Sequence, residues 1–206
     1  MCGRYTVFTE EEVIEMREII NEVNQRYINT PEHAAMKTGE IFPTNIAPVL
    51  ALEKNALEAM LMNWGFPKWQ GEGVIINARS ETAMEKPMFR NSLGTRRCVI
   101  PSTGFYEWKH EGEKKKKDKY LIKLPGQSML YMAGLYNTFK DKLGRPYTAY
   151  VILTAKANAS MATLHDRMPV ILAASQKEVW LSDYGAAMKI MIRANDAEFE
   201  LRKVTA

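Results

Sequence analysis

The sequence predicts an α+β domain built on a largely antiparallel, partly barrel-like β-sheet core that is flanked by helices. Short runs of apolar, β-branched and aromatic residues occur along the chain, separated by turn residues. Segments with helical periodicity are few, and they do not alternate with strands as in a parallel sheet. With 206 residues, 46% of them hydrophobic, the chain can bury a sizeable core, so we expect a single domain over residues 1–206.

The first predicted element is an amphipathic helix from Glu10 to Arg26. Thr9 and Glu12 have the spacing of a capping box. An apolar stripe typical of core packing follows at helical spacing, at Val13, Met16, Ile20, Val23 and Tyr27. Beyond this helix, residues Thr30–Pro48 contain three prolines and a glycine, which predicts a long irregular connection.

Most of the remaining chain is predicted to form short strands. The predicted strands are Val49–Leu52, Ala59–Trp64, Arg97–Ile100, Phe105–Trp108, Tyr120–Leu124, Met129–Tyr136, Tyr147–Thr154 and Val170–Leu172. Ser175 and Glu178 indicate a capped short helix toward Leu181. Residues Glu198–Val204 are predicted to return as a last strand.

Composition excludes several classes of protein. No apolar stretch is long enough to span a membrane and no signal peptide is recognisable, so we expect a cytoplasmic protein. Cys2 and Cys98 lack a disulfide framework and are expected to be free thiols, with Cys98 in the core. No cysteine and histidine cluster has the spacing of metal ligands, so we expect no metal and no other cofactor.

The net charge of +4 is unevenly distributed. Residues Leu61–Lys123 contain 13 lysines and arginines against 7 aspartates and glutamates. Part of this excess is the run Lys114–Lys117, which we interpret as the solvated tip of a hairpin. The basic segment favours a nucleic-acid partner only weakly by itself.

Cys2 carries the most informative chemistry in the chain, because removal of Met1 would leave a cysteine with a free α-amine beside its thiol. Together the two groups can close a five-membered thiazolidine ring on an aldehyde. The amine forms a Schiff base first, and the thiol then adds to the imine. An α-amine has a pKa of about 7.8 against about 10.4 for lysine, so far more of it is neutral and nucleophilic at neutral pH.

Four short motifs accompany this cysteine in a fixed order. They are Cys2–Tyr5 (Cys-Gly-Arg-Tyr), Asn77–Thr82 (Asn-Ala-Arg-Ser-Glu-Thr), Gly104–Trp108 (Gly-Phe-Tyr-Glu-Trp) and His165–Pro169 (His-Asp-Arg-Met-Pro). In this order they resemble the SOS response-associated peptidase (SRAP) family of abasic-site processing proteins, over nearly the whole chain. The resemblance implies the same fold class, and a Cys2 that couples covalently to the aldehyde of an abasic site in single-stranded DNA. It also implies that Asn77, Glu107 and His165 complete the site.

Chemistry suggests a role for each of these three residues. Glu107 is the candidate acid/base for opening the sugar ring, although Tyr106 and Trp108 would lie on the opposite face of its strand and could not shield it. Asn77 would hydrogen-bond the imine or a sugar hydroxyl without acting as a nucleophile. His165 can exchange a proton near neutral pH, to steer the opened sugar or promote β-elimination. Without the resemblance, a turn asparagine, a surface glutamate and a structural histidine would be the simpler interpretations.

Candidate DNA contacts are cations for phosphates and flat faces for bases. Arg4, Arg79 and Arg167 each follow a proposed site residue by two positions, so in extended segments each would share its face and clamp a phosphate. Tryptophans are the candidate base platforms, although burial in the core is their commoner fate. The two tryptophans are Trp64 and Trp108. Two weaker candidates, Pro43 and Asn45, lie on the long connection.

Three functions remain open on the sequence. The first is covalent capture of abasic sites in single-stranded DNA by a monomer that is nucleoid-associated when bound, with strand-cleaving lyase chemistry and release of Met1 as side activities. The second is a thiol peptidase in which His165 activates Cys2. The third is a non-covalent reader of damaged or modified DNA.

Overall fold

The structure is a computed structural model that describes residues 2–8, 13–109, 117–193 and 197–204. The strands are β1 (Arg4–Val7), β2 (Gly39–Ile41), β3 (Ile46–Glu53), β4 (Ala56–Trp64), β5 (Phe66–Pro67), β6 (Val74–Ile75), β7 (Asn77–Arg79), β8 (Arg97–Ser102), β9 (Gly104–Lys109), β10 (Asp118–Lys123), β11 (Leu130–Lys140), β12 (Pro146–Lys156), β13 (Arg167–Pro169), β14 (Ile171–Leu172) and β15 (Glu200–Lys203). The α-helices are α1 (Ile14–Arg26), α2 (Pro31–Ala35), α3 (Pro87–Thr95), α4 (Ala159–Ala162), α5 (Lys177–Ser182) and α6 (Tyr184–Ile192).

Five strands close into a barrel. Around the ring, β3 pairs with β4 and β8, β8 with β11, and β11 with β12, all antiparallel. A parallel pairing of β12 with β4, with Tyr150 opposite Trp64, closes the ring. The prediction of an α+β fold with a partly barrel-like, largely antiparallel sheet is therefore confirmed.

A second sheet, in the order β15-β10-β9-β1-β2, carries the amino-terminal segment. Strand β1 lies antiparallel to β9, with Arg4 opposite Tyr106 and Tyr5 opposite Phe105. Tyr5 and Phe105 are fully buried on one face of this sheet. The pairing brings Cys2, which lies two residues before the start of β1, to the part of β9 that contains Glu107.

A buried aromatic cluster joins the two sheets beneath this segment. The ring of Tyr5 packs edge-on against Trp64 with centroids 5.1 Å apart, and Trp64 stacks on Tyr150 at 6.4 Å. The hydroxyls of Tyr5 and Tyr150 are hydrogen-bonded at 2.5 Å. Because all three side chains are fully buried, they hold β1, and with it Cys2, against the barrel.

The structure confirms the first helix over its described part and corrects the segment after it. Helix α1 begins at Ile14, and the predicted capping residues Thr9 and Glu12 lie outside the described residues. The interpretation of Thr30–Pro48 as irregular is wrong, because this segment contains α2, β2 and the start of β3. Thr30 caps α2 by accepting a hydrogen bond from the His33 N–H, and a proline follows at the first helical position.

The predicted strands all fall on or overlap observed strands, usually extended by a few residues. The prediction missed the short strands β1, β2, β5, β7 and β13, and helices α2, α3, α4 and α6. A two- or three-residue strand has too few positions to show a period of two, so its pairing partners define it. The run Lys114–Lys117, interpreted as the tip of a hairpin, lies outside the described residues except for Lys117.

Candidate active site around Cys2

The Cys2 thiol is buried at the edge of the second sheet. It is fully inaccessible to solvent and donates a hydrogen bond to the carbonyl of Arg4 at 3.6 Å. Burial, and after it the nearby negative charge of Glu107, raise the pKa of the Cys2 thiol well above its ordinary value. The thiol is therefore protonated at neutral pH.

Asn77 holds the backbone of Cys2. Its side-chain Nδ2 donates to the Cys2 carbonyl oxygen at 3.0 Å. The strand that carries it is fixed on the barrel side, because the carbonyl of Ile76 accepts from Trp64 Nε1 at 3.1 Å and from the Ile152 N–H at 3.0 Å. The second polar atom of the Asn77 side chain, Oδ1, is buried and has no hydrogen-bond partner within the described residues. Such an orphaned acceptor is unusual inside a protein and suits a ligand that carries a donor.

Glu107 lies on the buried face of β9, with 3% of its surface exposed. Its neighbours point the other way: the Lys119 ammonium lies 3.8 Å from the ring centroid of Tyr106 and 5.8 Å from that of Trp108. The predicted alternation of faces is thus confirmed. Because the Glu107 charge raises the pKa of the Cys2 thiol, the two side chains share one electrostatic environment.

His165 follows α4 and borders a cleft of about 620 Å³. Lys109, two residues beyond Glu107 on β9, lines the same cleft, as does Lys156. The backbone N–H of Arg167 donates to His165 Nδ1 at 2.9 Å. Asp166 Oδ1 lies 2.7 Å from the same nitrogen, so Nδ1 faces both a hydrogen-bond donor and an acceptor.

Comparisons with known proteins identify the family of this chain. The family model described as SOS response associated peptidase (SRAP) matches residues 1–206. The chain belongs to the SRAP family. It is 37% identical to the Bacillus subtilis protein named abasic site processing protein YoqW, over 88% of this chain and 80% of that protein. It is 34% identical to the protein named abasic site processing protein YoaM from the same organism, over 96% and 89%.

Solved structures share the fold of this SRAP chain. A protein from Bacteroides thetaiotaomicron superposes with a TM-score of 0.79 at 22% identity, over 99% of this chain and 92% of that one. A protein from Bordetella bronchiseptica superposes with a TM-score of 0.75 at 20% identity, over the full length of both chains.

The three arginines predicted from spacing to bind phosphates differ in their exposure and contacts in this protein. Arg79 is exposed and shares a face of β7 with Asn77, as predicted. The Arg4 carbonyl accepts from the Cys2 thiol, but the Arg4 guanidinium has other partners: it stacks 3.6 Å from the Phe42 ring centroid and pairs with Glu40 at 3.2 Å. The spacing argument fails here because Cys2 precedes the strand rather than belonging to it.

Arg167 is engaged in an ion pair in this structure, and its contact with a phosphate stays a prediction. Its Nη1 and Nη2 donate to the two carboxylate oxygens of Glu81 at 2.6 and 2.8 Å, and Nη2 also donates to the Thr154 carbonyl at 2.6 Å. The planar fork that would bind a phosphate is therefore already occupied by a carboxylate.

The expected base platforms require a correction as well. Trp64 is fully buried in the aromatic cluster, so the prediction that it stacks on bases is wrong. Trp108 is half-buried, with the Arg4 guanidinium 5.9 Å from its ring centroid. Pro43 and Asn45 lie in a turn where Asn45 Oδ1 accepts from the Phe42 N–H at 3.0 Å. The sequence analysis missed Trp69, which is 91% exposed on the loop between β5 and β6.

Three further expectations concern Cys98, metal ions and membrane spans. Cys98 is a free thiol in the core, as predicted. Within the part of the chain that the structure describes, no group of three histidine, cysteine, aspartate or glutamate side chains could hold a metal ion. In the same residues, no helix has the length and apolar character needed to cross a membrane.

Proposed function

We propose that this protein captures abasic sites in single-stranded DNA covalently, through the α-amine and thiol of Cys2 after loss of Met1. The names of its relatives YoqW and YoaM, both abasic site processing proteins, support the substrate. The observation that carries the proposal is the environment of Cys2: Asn77 holds its backbone and offers a buried free acceptor, and Glu107 lies within electrostatic reach of its thiol.

The chemistry proceeds in two balanced steps. The Cys2 amine adds to the C1′ aldehyde of the ring-opened sugar, and loss of water gives an imine. The thiol sulfur then bonds to the imine carbon while its proton passes to the nitrogen, which closes the thiazolidine. Glu107 acts as the acid and base in both steps, since its charge acts on the thiol and its side chain is nearly sealed from solvent.

Asn77 and His165 orient the substrate. Asn77 Oδ1 accepts a hydrogen from the adding amine or from a sugar hydroxyl, which satisfies its buried lone pairs. His165 lines the cleft that it shares with Lys109 and Lys156, and these lysines attract the flanking phosphates. Proton transfer at His165 would also support β-elimination at the 3′ phosphate, a strand-cleaving side activity.

The other candidate DNA contacts have exposed side chains. Arg79 shares a face with Asn77 and forms no ion pair among the described residues. Trp69 offers an open aromatic face next to Lys68, a combination that suits unpaired bases beside a phosphate backbone. Arg4 takes part through its exposed edge, on the outer face with Trp108.

A thiol peptidase that uses Cys2 and His165 is the alternative function. Its nucleophile would be a thiolate, and burial works against this form by raising the pKa of the Cys2 thiol. Peptidase chemistry would then be limited to release of Met1, which supplies the free amine.

A denaturing gel tests the proposal. The protein is incubated with a single-stranded oligonucleotide that carries one abasic site, denatured with heat and detergent, and examined for a shifted band. We expect a stable band with wild-type protein and with the control Cys98→Ala, none with Cys2→Ala, and only a reversible Schiff base with Cys2→Ser. An uncleavable extension before Cys2 should also abolish the band. A stable band at full yield from Cys2→Ala would overturn the mechanism.

A further inference from the structure

One carboxylate, that of Glu40, joins two cations on the outer face of the second sheet. Its two oxygens accept from the Lys119 ammonium, each at 2.8 Å, and Oε1 also accepts from Arg4 Nη1 at 3.2 Å. The three side chains are between 26% and 30% exposed. The charged groups therefore lie at the surface, where a ligand can reach them.

The ion pair between Glu40 and Lys119 crosses the sheet rather than joining neighbouring strands. Glu40 is on β2 and Lys119 is on β10, and β1 and β9 lie between these two strands. Neighbouring strands are about 4.8 Å apart, so the two backbones are separated by about 14 Å and both side chains extend over β1 and β9. Ordering two long side chains costs conformational entropy, and an exposed ion pair stabilises a fold only slightly. Stability alone is thus a weak reason for this arrangement.

Aromatic rings flank the two cations. The Arg4 guanidinium lies 3.6 Å from the Phe42 ring centroid, and Phe42 is 40% exposed. The Trp108 ring centroid is 5.9 Å from the Arg4 guanidinium and 5.8 Å from the Lys119 ammonium. Cations beside aromatic faces bind the phosphates and bases of single-stranded DNA. A carboxylate that bonds both cations occupies the position that phosphate oxygens would take.

This surface lies close to Cys2. Arg4 is opposite Tyr106 in the antiparallel pairing of β1 with β9, so the chain that precedes Arg4 runs toward Trp108. Lys119 is opposite Trp108 on the other side of β9. Cys2 and Lys119 are thus separated by about two strand spacings, or about 10 Å. When an abasic sugar lies at Cys2, a flanking phosphate can reach the two cations.

We propose that Arg4 and Lys119 form a phosphate site for single-stranded DNA and that Glu40 is the competitor built into this site. The inference rests on the proposed function, and it adds Lys119 as a DNA contact. A DNA phosphate displaces the carboxylate from at least one cation, which lowers the affinity for intact single strands. Glu40 thereby favours release of undamaged DNA, while the covalent step at Cys2 retains the protein on abasic sites.

Binding of an oligonucleotide without an abasic site tests this phosphate site independently of adduct formation. Fluorescence anisotropy of a labelled single strand, at several salt concentrations, gives the affinity and the salt slope. Glu40→Gln is compared with Glu58→Gln, which removes a carboxylate of similar exposure from an ion pair on β4. Lys119→Gln is compared with Lys203→Gln, which removes an ion pair with Asp118 on the same sheet.

We expect Glu40→Gln to bind the single strand about two- to fivefold more tightly than Glu58→Gln at low salt, the effect of one exposed charge pair. Its salt slope should be steeper by about 0.7, because a phosphate at this site then displaces no carboxylate. Lys119→Gln should bind more weakly than Lys203→Gln, with a slope shallower by about 0.7. The loss caused by Lys119→Gln should be larger when Glu40→Gln is also present.

Three results would overturn the inference. Equal affinities of Glu40→Gln and Glu58→Gln would show that Glu40 does not compete with DNA. Weaker binding by Glu40→Gln would show instead that the carboxylate positions Arg4 for DNA. Equal salt slopes of Lys119→Gln and Lys203→Gln would remove Lys119 from the interface.

Two controls separate other causes. Melting temperatures close to that of the wild type, expected for an exposed ion pair, exclude misfolding as the origin of a change in affinity. A wild-type protein that binds the intact strand but forms no adduct with an abasic strand would refute the proposed function separately.

Discussion

The hydrogen bond from Asn77 to the Cys2 carbonyl offers the sharpest test of the site. Asn77→Asp keeps the shape of the side chain but replaces the donating Nδ2 with a second carboxylate oxygen, which faces the carbonyl it formerly bound at 3.0 Å. The introduced charge also lies next to Cys2, whose thiol is under the influence of the Glu107 charge. Asn77→Ala removes the same bond without introducing any repulsion.

The expected magnitudes follow from this geometry. Either substitution leaves the buried Cys2 carbonyl without its partner, at a cost of about 1–3 kcal/mol. Because the lost bond positions the Cys2 backbone, adduct formation should slow by about 5- to 150-fold for Asn77→Ala. Asn77→Asp should be slower still, because its carboxylate also repels the carbonyl oxygen.

The pH dependence separates repulsion from simple misfolding. Burial and a neighbouring carboxylate raise the pKa of an introduced carboxyl. Once protonated, that carboxyl can donate to the Cys2 carbonyl and restore the lost bond. The rate of Asn77→Asp relative to wild type should therefore rise as pH falls from about 8 to about 5, while the ratio for Asn77→Ala stays flat.

Single-turnover gel assays at saturating abasic oligonucleotide measure these rates. Asn63→Asp is the matched control, because Asn63 Nδ2 also donates to a backbone carbonyl, that of Thr148 at 3.3 Å, but on β4. It should lose stability without a large change in rate. Wild-type rates for Asn77→Asp, or a rate above that of Asn77→Ala at high pH, would refute the role of Asn77 in holding Cys2.

Three further predictions concern catalysis, binding and stability. Glu107→Gln should slow adduct formation by about 10²–10⁴ with little change in DNA affinity. It should also speed alkylation of the Cys2 thiol, because removing the Glu107 charge lowers the pKa of that thiol. A proportional loss of rate and affinity would instead make Glu107 structural. Arg79→Ala should make the salt slope of single-strand binding shallower by about 0.7, and an unchanged slope would remove it from the interface. Arg97→Met should lower the free energy of unfolding by about 3–5 kcal/mol, because Arg97 is buried and donates four hydrogen bonds to backbone carbonyls near the ends of α3 and α5. The melting temperature should fall by about 6–20 °C. The neighbouring Arg96→Met, which loses one exposed bond, is its control, and equal losses for the two variants would contradict the reasoning.

The sequence pointed to candidate site residues but to few of the contacts that hold them in place. Cys2 could be proposed from its chemistry at the amino terminus, and Asn77 and Glu107 from the family resemblance that their motifs carry. The two tryptophans show where such reasoning ends. Trp64 and Trp69 lie in one short segment and have the same side chain, yet one is sealed in the core and the other is almost fully exposed. Burial depends on what packs against a residue, and for Trp64 those partners are Tyr5 and Tyr150, each far from it in the chain.

By itself, the sequence determined the fold class, most of the longer strands and the residue types that carry the chemistry, because these depend on local periodicity and on the reactivity of individual side chains. Only the tertiary structure decided which of these residues act together. The parallel pairing of β12 with β4 and β7 joins segments about 75 to 85 positions apart, and a pattern of period two does not specify a partner strand. The occupation of Arg167 by Glu81 has the same origin: a two-residue spacing predicts a shared face, but the nearest carboxylate is set by how the strands assemble.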